Sequence, residues 1–368
     1  MKFKANFVAT SVAKIAAFAL TAVLFGTQAN AASENSHKAQ SGVNSSKSAA
    51  QSLKKGTKKE LKIAGSSTVY PFTSFVAEEY ALERGSKTPI VESLGTGGGF
   101  KVFCEGKTDI SNASRPIKPS EFESCLKNGV SEVVGVQIGY DGIVLAQNKA
   151  NKPLNITLEQ LFLALAKEVP QNGKLVPNPY KSWHEIDKAL PKRKITIYGP
   201  PSSSGTRDTL EELVLAKASK KFAAYGAQQG KYKSVRQDSA YIPSGENDNL
   251  IVSKLAADKA AFGLFGYGFL ASNKDKINAA SVGGIAPSED SISQGKYELA
   301  RSLFIYLNAA NAESLDFAEL YLSFANSGGE LAKIGLVPLS EGDLRAMREH
   351  IKKASRLNKA LVERGLVK

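Results

Sequence analysis

Histidine is nearly absent from this 368-residue chain, which has only His37, His184 and His350. His184 sits beside Trp183 and His350 in a charged C-terminal stretch, with no evident partner for any of the three. A serine hydrolase needs a His base beside its nucleophile, so that chemistry has no candidate constellation. Cysteine is equally scarce: Cys104 and Cys125 alone, without clustered histidine, cannot build an ordinary zinc site. Long apolar runs are missing. The run AAFALTAVLF from Ala16 falls short of the roughly 20 residues that cross a bilayer, and no later segment is longer. Nucleotide motifs fail as well. GxxxxGK[ST] would need glycine where Lys101 stands, and GTGGGF lacks the last glycine of GxGxxG. No repeat of solenoid length stands out. What is present, 42% hydrophobic residues, 8% aromatic and 31 Gly, is ordinary globular composition and excludes collagen, coiled coil or wholesale disorder.

The formal net charge is +13, and its placement decides what it means. Residues 1–31 carry Lys2, Lys4 and Lys14 and no acid, with the apolar run and then Ala29-Asn30-Ala31. This reads as a secretory signal cleaved after Ala31. No cysteine lies near the cleavage point to accept a lipid, so the mature protein is expected to be soluble in the periplasm, without stable membrane insertion. Residues 32–60 hold six Lys and two Glu among Ser, Ala, Gln and Asn, the composition of a flexible tail. The leader at +3 and the tail at +4 leave +6 on residues 61–368. Most of the excess therefore lies outside the fold, which argues against a nucleic-acid surface and leaves a small anion as partner. Export also favours a disulfide between Cys104 and Cys125, 21 positions apart, over two buried free thiols.

Along the mature chain the pattern alternates strand and helix. LKIAGS (61–66) reads as a strand, and Val69, Phe72, Phe75, Val76 and Tyr80 then recur at helical spacing. PIVESLGTGGGF reads as a strand ending in a glycine-rich turn. VSEVVGVQIGYDGIVLAQN carries two β-rich runs around Gly139-Tyr140-Asp141-Gly142. TLEQLFLALAKEV is a helix capped by Thr157 with Gln160 three residues on. KITIYGPPSSSGTRDTLEELVLAKA repeats strand, turn, helix; AAFGLFGYGFL reads as a short strand pair and YELARSLFIYLN as a long strand. Helices close the chain. This alternation predicts α/β layers with mainly parallel sheets.

Three turns sit where a strand enters a helix: Gly65-Ser66-Ser67-Thr68, Gly95-Thr96-Gly97-Gly98-Gly99 and Ser202-Ser203-Ser204-Gly205-Thr206-Arg207. Unpaired N–H groups at a helix N-terminus, with nearby hydroxyls, bind oxyanions. One such turn is ordinary capping. Three in one chain, with Arg207 able to grip an oxyanion through parallel hydrogen bonds, shift the balance toward oxyanion binding.

The ordered set AGSSTVYPF, GTGGGFKVFCEGKTDISNASRPIK, VQIGYDGIVLAQN, SSSGTRDT and AAFGLFGYGFL resembles the PstS-type phosphate-binding component of bacterial high-affinity ABC phosphate transporters, from about residue 60 to about 345. The resemblance implies a two-lobed periplasmic-binding-protein fold of type II, each lobe a mixed, mainly parallel sheet flanked by helices, with a two-segment hinge. Lobe one would be 61–139 plus 276–368 and lobe two 140–275. The implied role is that of a monomeric, non-enzymatic receptor. It takes inorganic phosphate, needs no cofactor and hands its cargo to an inner-membrane ABC permease.

By the same resemblance the contacts fall on Thr68 and the Val69 backbone, on Thr96 with Gly97, and on Ser204, Gly205 and Thr206. Where the family often has Asp, this chain reads Ala113-Ser114-Arg115-Pro116. Phosphate near neutral pH keeps a proton that sulfate lacks, so a carboxylate acceptor is expected elsewhere, and Asp141 is the best substitute. A carboxylate beside an anion is unfavourable unless offset, and Arg115 and Arg207 are the candidates to offset it. Asp141 can equally cap a turn, and Arg115 can equally be a structural ion-pair partner. Ser244, Glu246 and Asn247 are further cleft candidates. Two alternatives stand beside this reading: a receptor for another tetrahedral oxyanion such as sulfate or molybdate, and an extracytoplasmic phosphatase using a turn serine.

Overall fold

A computed structural model describes residues 60–202, 204–245 and 248–367. The expected leader, the tail up to residue 59, Ser203, Glu246 and Asn247 lie outside the described residues. The first strand, β1 (Lys62–Gly65), leads into α1 (Tyr70–Arg84). Val69, Phe72, Val76 and Tyr80 are all buried, so the helical spacing of the sequence is the spacing of a core face. Pro71 falls in the first turn, where a missing N–H costs nothing, and Gly85 ends the helix in the left-handed region with its N–H bonded to Ala81.

After β2 (Ile90–Ser93), the glycine-rich segment expected as a turn is itself the start of a helix, α2 (Gly95–Cys104). Close packing explains the glycines there. A Cβ on Gly99 would stand 2.5 Å from Gly65 Cα, so α2 can lie directly against β1 only with no side chain at that point. Phe100 and Phe103 are both fully buried and anchor the helix in the core. β3 (Ile110–Ala113) and α3 (Pro119–Lys127) follow, and the expected disulfide Cys104–Cys125 ties α2 to α3.

The two β-rich runs around GYDG form one uninterrupted strand, β4 (Val133–Asn148), 16 residues long. The helix α4 (Leu158–Leu165) begins with the reciprocal capping bonds between Thr157 and Gln160. Next come β5 (Ile197–Gly199) and α5 (Gly205–Leu210), which continues through a π-helical turn, Glu211–Ala216. β6 (Tyr241–Pro243), α6 (Asp248–Ala257) and β7 (Phe262–Gly266) complete this region. The second half of AAFGLFGYGFL is not the expected strand: Tyr267–Ala271 forms the helix α7. Tyr267 and Leu270, three apart, are its buried pair, a helical and not a strand spacing. β8 (Ile277–Ala279), β9 (Ala300–Asn308), α8 (Ala312–Phe324) and α9 (Glu341–Lys352) finish the list that matters here.

The described residues build a nine-stranded mixed sheet in the order β2-β1-β3-β9-β4-β7-β5-β6, with β8 also on β4. Parallel pairs occupy its two ends, β2-β1-β3 and β7-β5-β6. The centre is antiparallel, because β4 runs out of one half of the molecule and β9 runs straight back beside it. Two cores result. One gathers side chains from Leu61 to Ile138 and from Leu303 to Val367; the other gathers Ile143 to Leu299 together with Val337. Tyr140 packs against both. Ile277, Val282, Ile292 and Tyr297 belong to the second core, although the segment from 276 was expected with the first. Burying an apolar side chain of this size contributes about 1.5–3 kcal/mol, and the pairing of β8 with residues 146–148 of β4 places the segment in the same half.

Candidate functional site

A cavity of about 530 Å³ opens along the seam between the two cores. Ser67 and Thr68 reach it from the β1–α1 turn, Asp141 from the crossing strand β4, and Ser204, Gly205 and Thr206 from the start of α5. Tyr70, Phe72 and Phe269 supply apolar wall. The N-terminus of α1 has neither a side-chain cap nor an acid in its first turn, so its positive end is not neutralised within the helix. In the third turn Ser204 Oγ accepts from the Thr206 N–H at 3.2 Å. The first and third turns touch directly: Thr68 Oγ1 donates to the Gly205 carbonyl at 3.1 Å, and Ser67 Oγ donates to Asp208.

Asp141 sits in continuous strand, so it caps no turn. Its register partner on β9 is Arg301, a residue that sequence reading missed. Side chains directly opposite on antiparallel strands share a face, and Arg301 Nε lies 3.6 Å from Asp141 Oδ2, the two side chains being 8% and 13% exposed. One Arg301 Nη2 donates to Thr68 Oγ1 at 2.7 Å and to Thr209 Oγ1 at 2.6 Å, and Nη1 pairs with Glu212. Thr209, also missed, donates to Asp141 Oδ2 at 2.7 Å. The signal available for Arg301 was an arginine entering an otherwise apolar strand, ARSLFIYLN. Its pairing with Asp141 spans 160 positions and has no local trace.

The remaining candidates lie around this centre. Val69 is fully buried at the N-cap of α1. Thr96 Oγ1 accepts from the Ser114 N–H at 3.1 Å and exchanges a hydrogen bond with Ser114 Oγ at 3.0 Å. Gly97 lines a separate shallow depression with Phe100 and Glu121. Arg115 makes a two-pronged pair with Glu121, at 2.9 and 2.7 Å, and lies over Phe100; the ion-pair alternative is the geometry present. Arg115 and Arg301 both border a second cavity of about 460 Å³ with Gln137 and Ser302. Arg207 is turned to Glu211 at 2.9 Å and over the Tyr241 ring. Burial pushes the Glu211 carboxyl above its ordinary range, and the Arg207 guanidinium only partly offsets that. Ser244 is buried, donating to Ile242 O and accepting from Lys254.

Among the described residues no group of three or more His, Cys, Asp or Glu side chains could hold a metal ion, and no helix is long and apolar enough to cross a membrane. The arrangement offers hydroxyl donors, a helix N-terminus and one carboxylate acceptor backed by an arginine. Chemically such a set can hold an anion, with the carboxylate available to accept a proton that the anion retains.

Residues 35–327 match the PBP superfamily domain. Protein SphX of Synechococcus elongatus is 32% identical over 284 residues, covering 75% of this chain and 76% of that protein. The phosphate-binding protein PstS of Staphylococcus saprophyticus is 30% identical over 292 residues, covering 77% and 82%. In structure, a possible phosphate binding protein from Planctomyces limnophilus superposes with a TM-score of 0.68 at 27% identity, over 82% of this chain and all of that one.

Proposed function

The chain belongs to the PstS family of the PBP superfamily, and on that premise we propose that it is an extracytoplasmic receptor that captures inorganic phosphate between its lobes and delivers it to an ABC-type import permease. The observation that carries the reading is the convergence of Thr68, Ser204, Thr206 and Asp141, drawn from both halves and the crossing strand, on one cavity. Hydroxyls and the turn N–H groups donate to the unprotonated oxygens. Asp141 accepts the proton that phosphate retains. The hinge runs through the crossing strands at 139–142 and 300–302, so closing the lobes brings the first and third turns together around the ion, and only the closed form docks productively. The receptor acts as a monomer and performs no chemistry on its cargo.

The test is calorimetry on protein stripped of ligand, with phosphate, arsenate, sulfate and molybdate. Phosphate and arsenate bind and sulfate does not; tighter binding of sulfate or molybdate would transfer the role to another oxyanion. Asp141→Asn weakens phosphate by at least about tenfold, the worth of one hydrogen bond to a charged group, and leaves sulfate little changed. Equal loss for both anions would refute the proton-reading role of Asp141.

A further inference from the structure

We infer that Arg301 and Thr209 are positioning residues that fix the hydrogen-bond polarity of the cleft, holding Thr68 as a donor and Asp141 as an acceptor, and thereby set the preference for a protonated oxyanion. The inference rests on the phosphate reading above and deepens it.

It follows from counting hydrogens. A guanidinium has donors only. Arg301 Nη2 gives one hydrogen to Thr68 Oγ1 at 2.7 Å and one to Thr209 Oγ1 at 2.6 Å, so both hydroxyls are acceptors on that side. Each threonine then has a single hydrogen to place. For Thr209 the choices are the Asp141 carboxylate at 2.7 Å and the Gly205 carbonyl at 3.1 Å. The shorter bond to a charged acceptor is the stronger. That leaves Thr68, whose nearest acceptor is the neutral Gly205 carbonyl at 3.1 Å, with Thr209 Oγ1 farther off at 3.4 Å, and Thr68 lines the cavity. An anion entering there is a better acceptor than that carbonyl, and with one of its two lone pairs already accepting from Arg301, Thr68 is biased toward donating.

The carboxylate is fixed by the same chain. The Thr209 hydrogen bond and the Arg301 contact both fall on Asp141 Oδ2. These contacts hold the carboxylate in one orientation and leave Oδ1 to accept from a ligand hydroxyl. Thr209 is fully buried and Arg301 is 8% exposed, so both side chains are largely shielded from solvent that could take over these partners. The chain Arg301 to Thr209 to Asp141 thus points one way, and it ends on the carboxylate that, among the described residues, lines the cavity and can tell hydrogen phosphate from sulfate.

The experiment measures phosphate and sulfate affinities by calorimetry on wild type, Thr209→Val, Thr209→Ser and Arg301→Lys, each with its thermal midpoint in the absence of anion. Thr209→Val keeps the shape and removes the hydroxyl; it is expected to lower the phosphate-to-sulfate affinity ratio by about tenfold or more. Thr209→Ser, which keeps the hydroxyl, is expected to restore the ratio. Arg301→Lys retains a charge without the fork and is expected to lower it to an intermediate degree. A ratio that stays at the wild-type value in Thr209→Val, or affinities for both anions that fall together, overturns the positioning role while leaving the phosphate reading intact. Wild-type protein that binds phosphate no better than sulfate overturns both. A Thr209→Val protein too unstable to titrate hands the decision to Arg301→Lys, where an unchanged ratio again overturns the proposal.

Discussion

Adding one methyl group at Gly205 tests whether the seam between the lobes is the closed state that anion binding requires. A Cβ there would stand 2.8 Å from the Ser67 carbonyl oxygen and 2.8 Å from Thr68 Cα. Both are backbone atoms of the opposite turn, so no side chain can swing aside. Ordinary contact begins near 3.4 Å, and the two turns must therefore separate by roughly 0.6 Å or more, lengthening the Thr68 to Gly205 hydrogen bond that is already 3.1 Å. Overpacking of this kind costs about 1–3 kcal/mol. Because the strain exists only when the turns meet, it falls on the closed form and appears as weaker binding, about 5- to 150-fold. Calorimetric titration of Gly205→Ala with phosphate reads the affinity, and a thermal midpoint without anion reads the fold. Gly342→Ala is the control: a Cβ there meets nothing closer than 3.9 Å, and its affinity should match wild type. Wild-type affinity in Gly205→Ala would refute the reasoning. So would a large loss of anion-free stability, which would place the strain inside one lobe.

Two further predictions concern the scaffold. Replacing Cys104 and Cys125 by alanine together should lower the free energy of unfolding by about 3 kcal/mol on the loop-entropy model for a 21-position bridge; urea denaturation checks it, phosphate affinity should be unchanged because neither sulfur lines the cavity, and a loss under about 1 kcal/mol would show that the helices hold without the bridge. Asp238→Asn should destabilise by about 1–2 kcal/mol, a buried-pair effect discounted for the 40% exposure of the carboxylate, because it leaves the 3%-exposed Arg236 without its anionic partner. Burial pushes the Asp238 carboxyl up, but the Arg236 guanidinium and the Ala240 N–H outweigh it and hold the group below its ordinary 3.8. A lowered folded value means that the stabilisation is present above that pH and lost as pH falls through the folded value. Urea midpoints of wild type and variant should therefore differ at pH 7 and draw together only as the pH falls well below 3.8, and a gap independent of pH would exclude the ion pair as its source.

Local patterns carried the sequence reading a long way. The helical spacing of Val69, Phe72, Val76 and Tyr80 and the Thr157–Gln160 box are properties of a few adjacent residues, and they reappear in α1 and α4. The glycine run after Ser93 misled because its cause is not local: Gly99 is small for the sake of Gly65, on a different element. AAFGLFGYGFL was ambiguous because short apolar runs suit strand and helix alike, and the buried pair Tyr267 and Leu270 decided it only through packing. The site was half legible. Serines and threonines at strand-to-helix turns announce themselves, so Thr68, Ser204 and Thr206 were found. Arg301 was not, because its role depends on register between β4 and β9, which the alternation of the chain, read as parallel crossovers, gave no reason to pair.

The charges at the seam argue against an electrostatic origin of selectivity. Arg301 is matched to Asp141 and Glu212, Arg207 to Glu211 and Arg115 to Glu121. Each arginine near the cleft already has a carboxylate, so the net +13 of the chain is not expressed at the cavity. That is consistent with the task. A concentrated positive field would attract phosphate and sulfate alike, since both arrive as anions of similar size, and would be weakened by salt. Hydrogen bonds have direction, and a proton on the ligand changes which direction is needed. Discrimination then resides in donors biased against accepting and in an acceptor that cannot turn away. A free hydroxyl fails that requirement because it rotates to suit either ligand. A hydroxyl already accepting from a guanidinium has one lone pair fewer to offer and is biased toward donating, and for that reason the paired state of Arg301 is what makes it useful to an anion it need not touch.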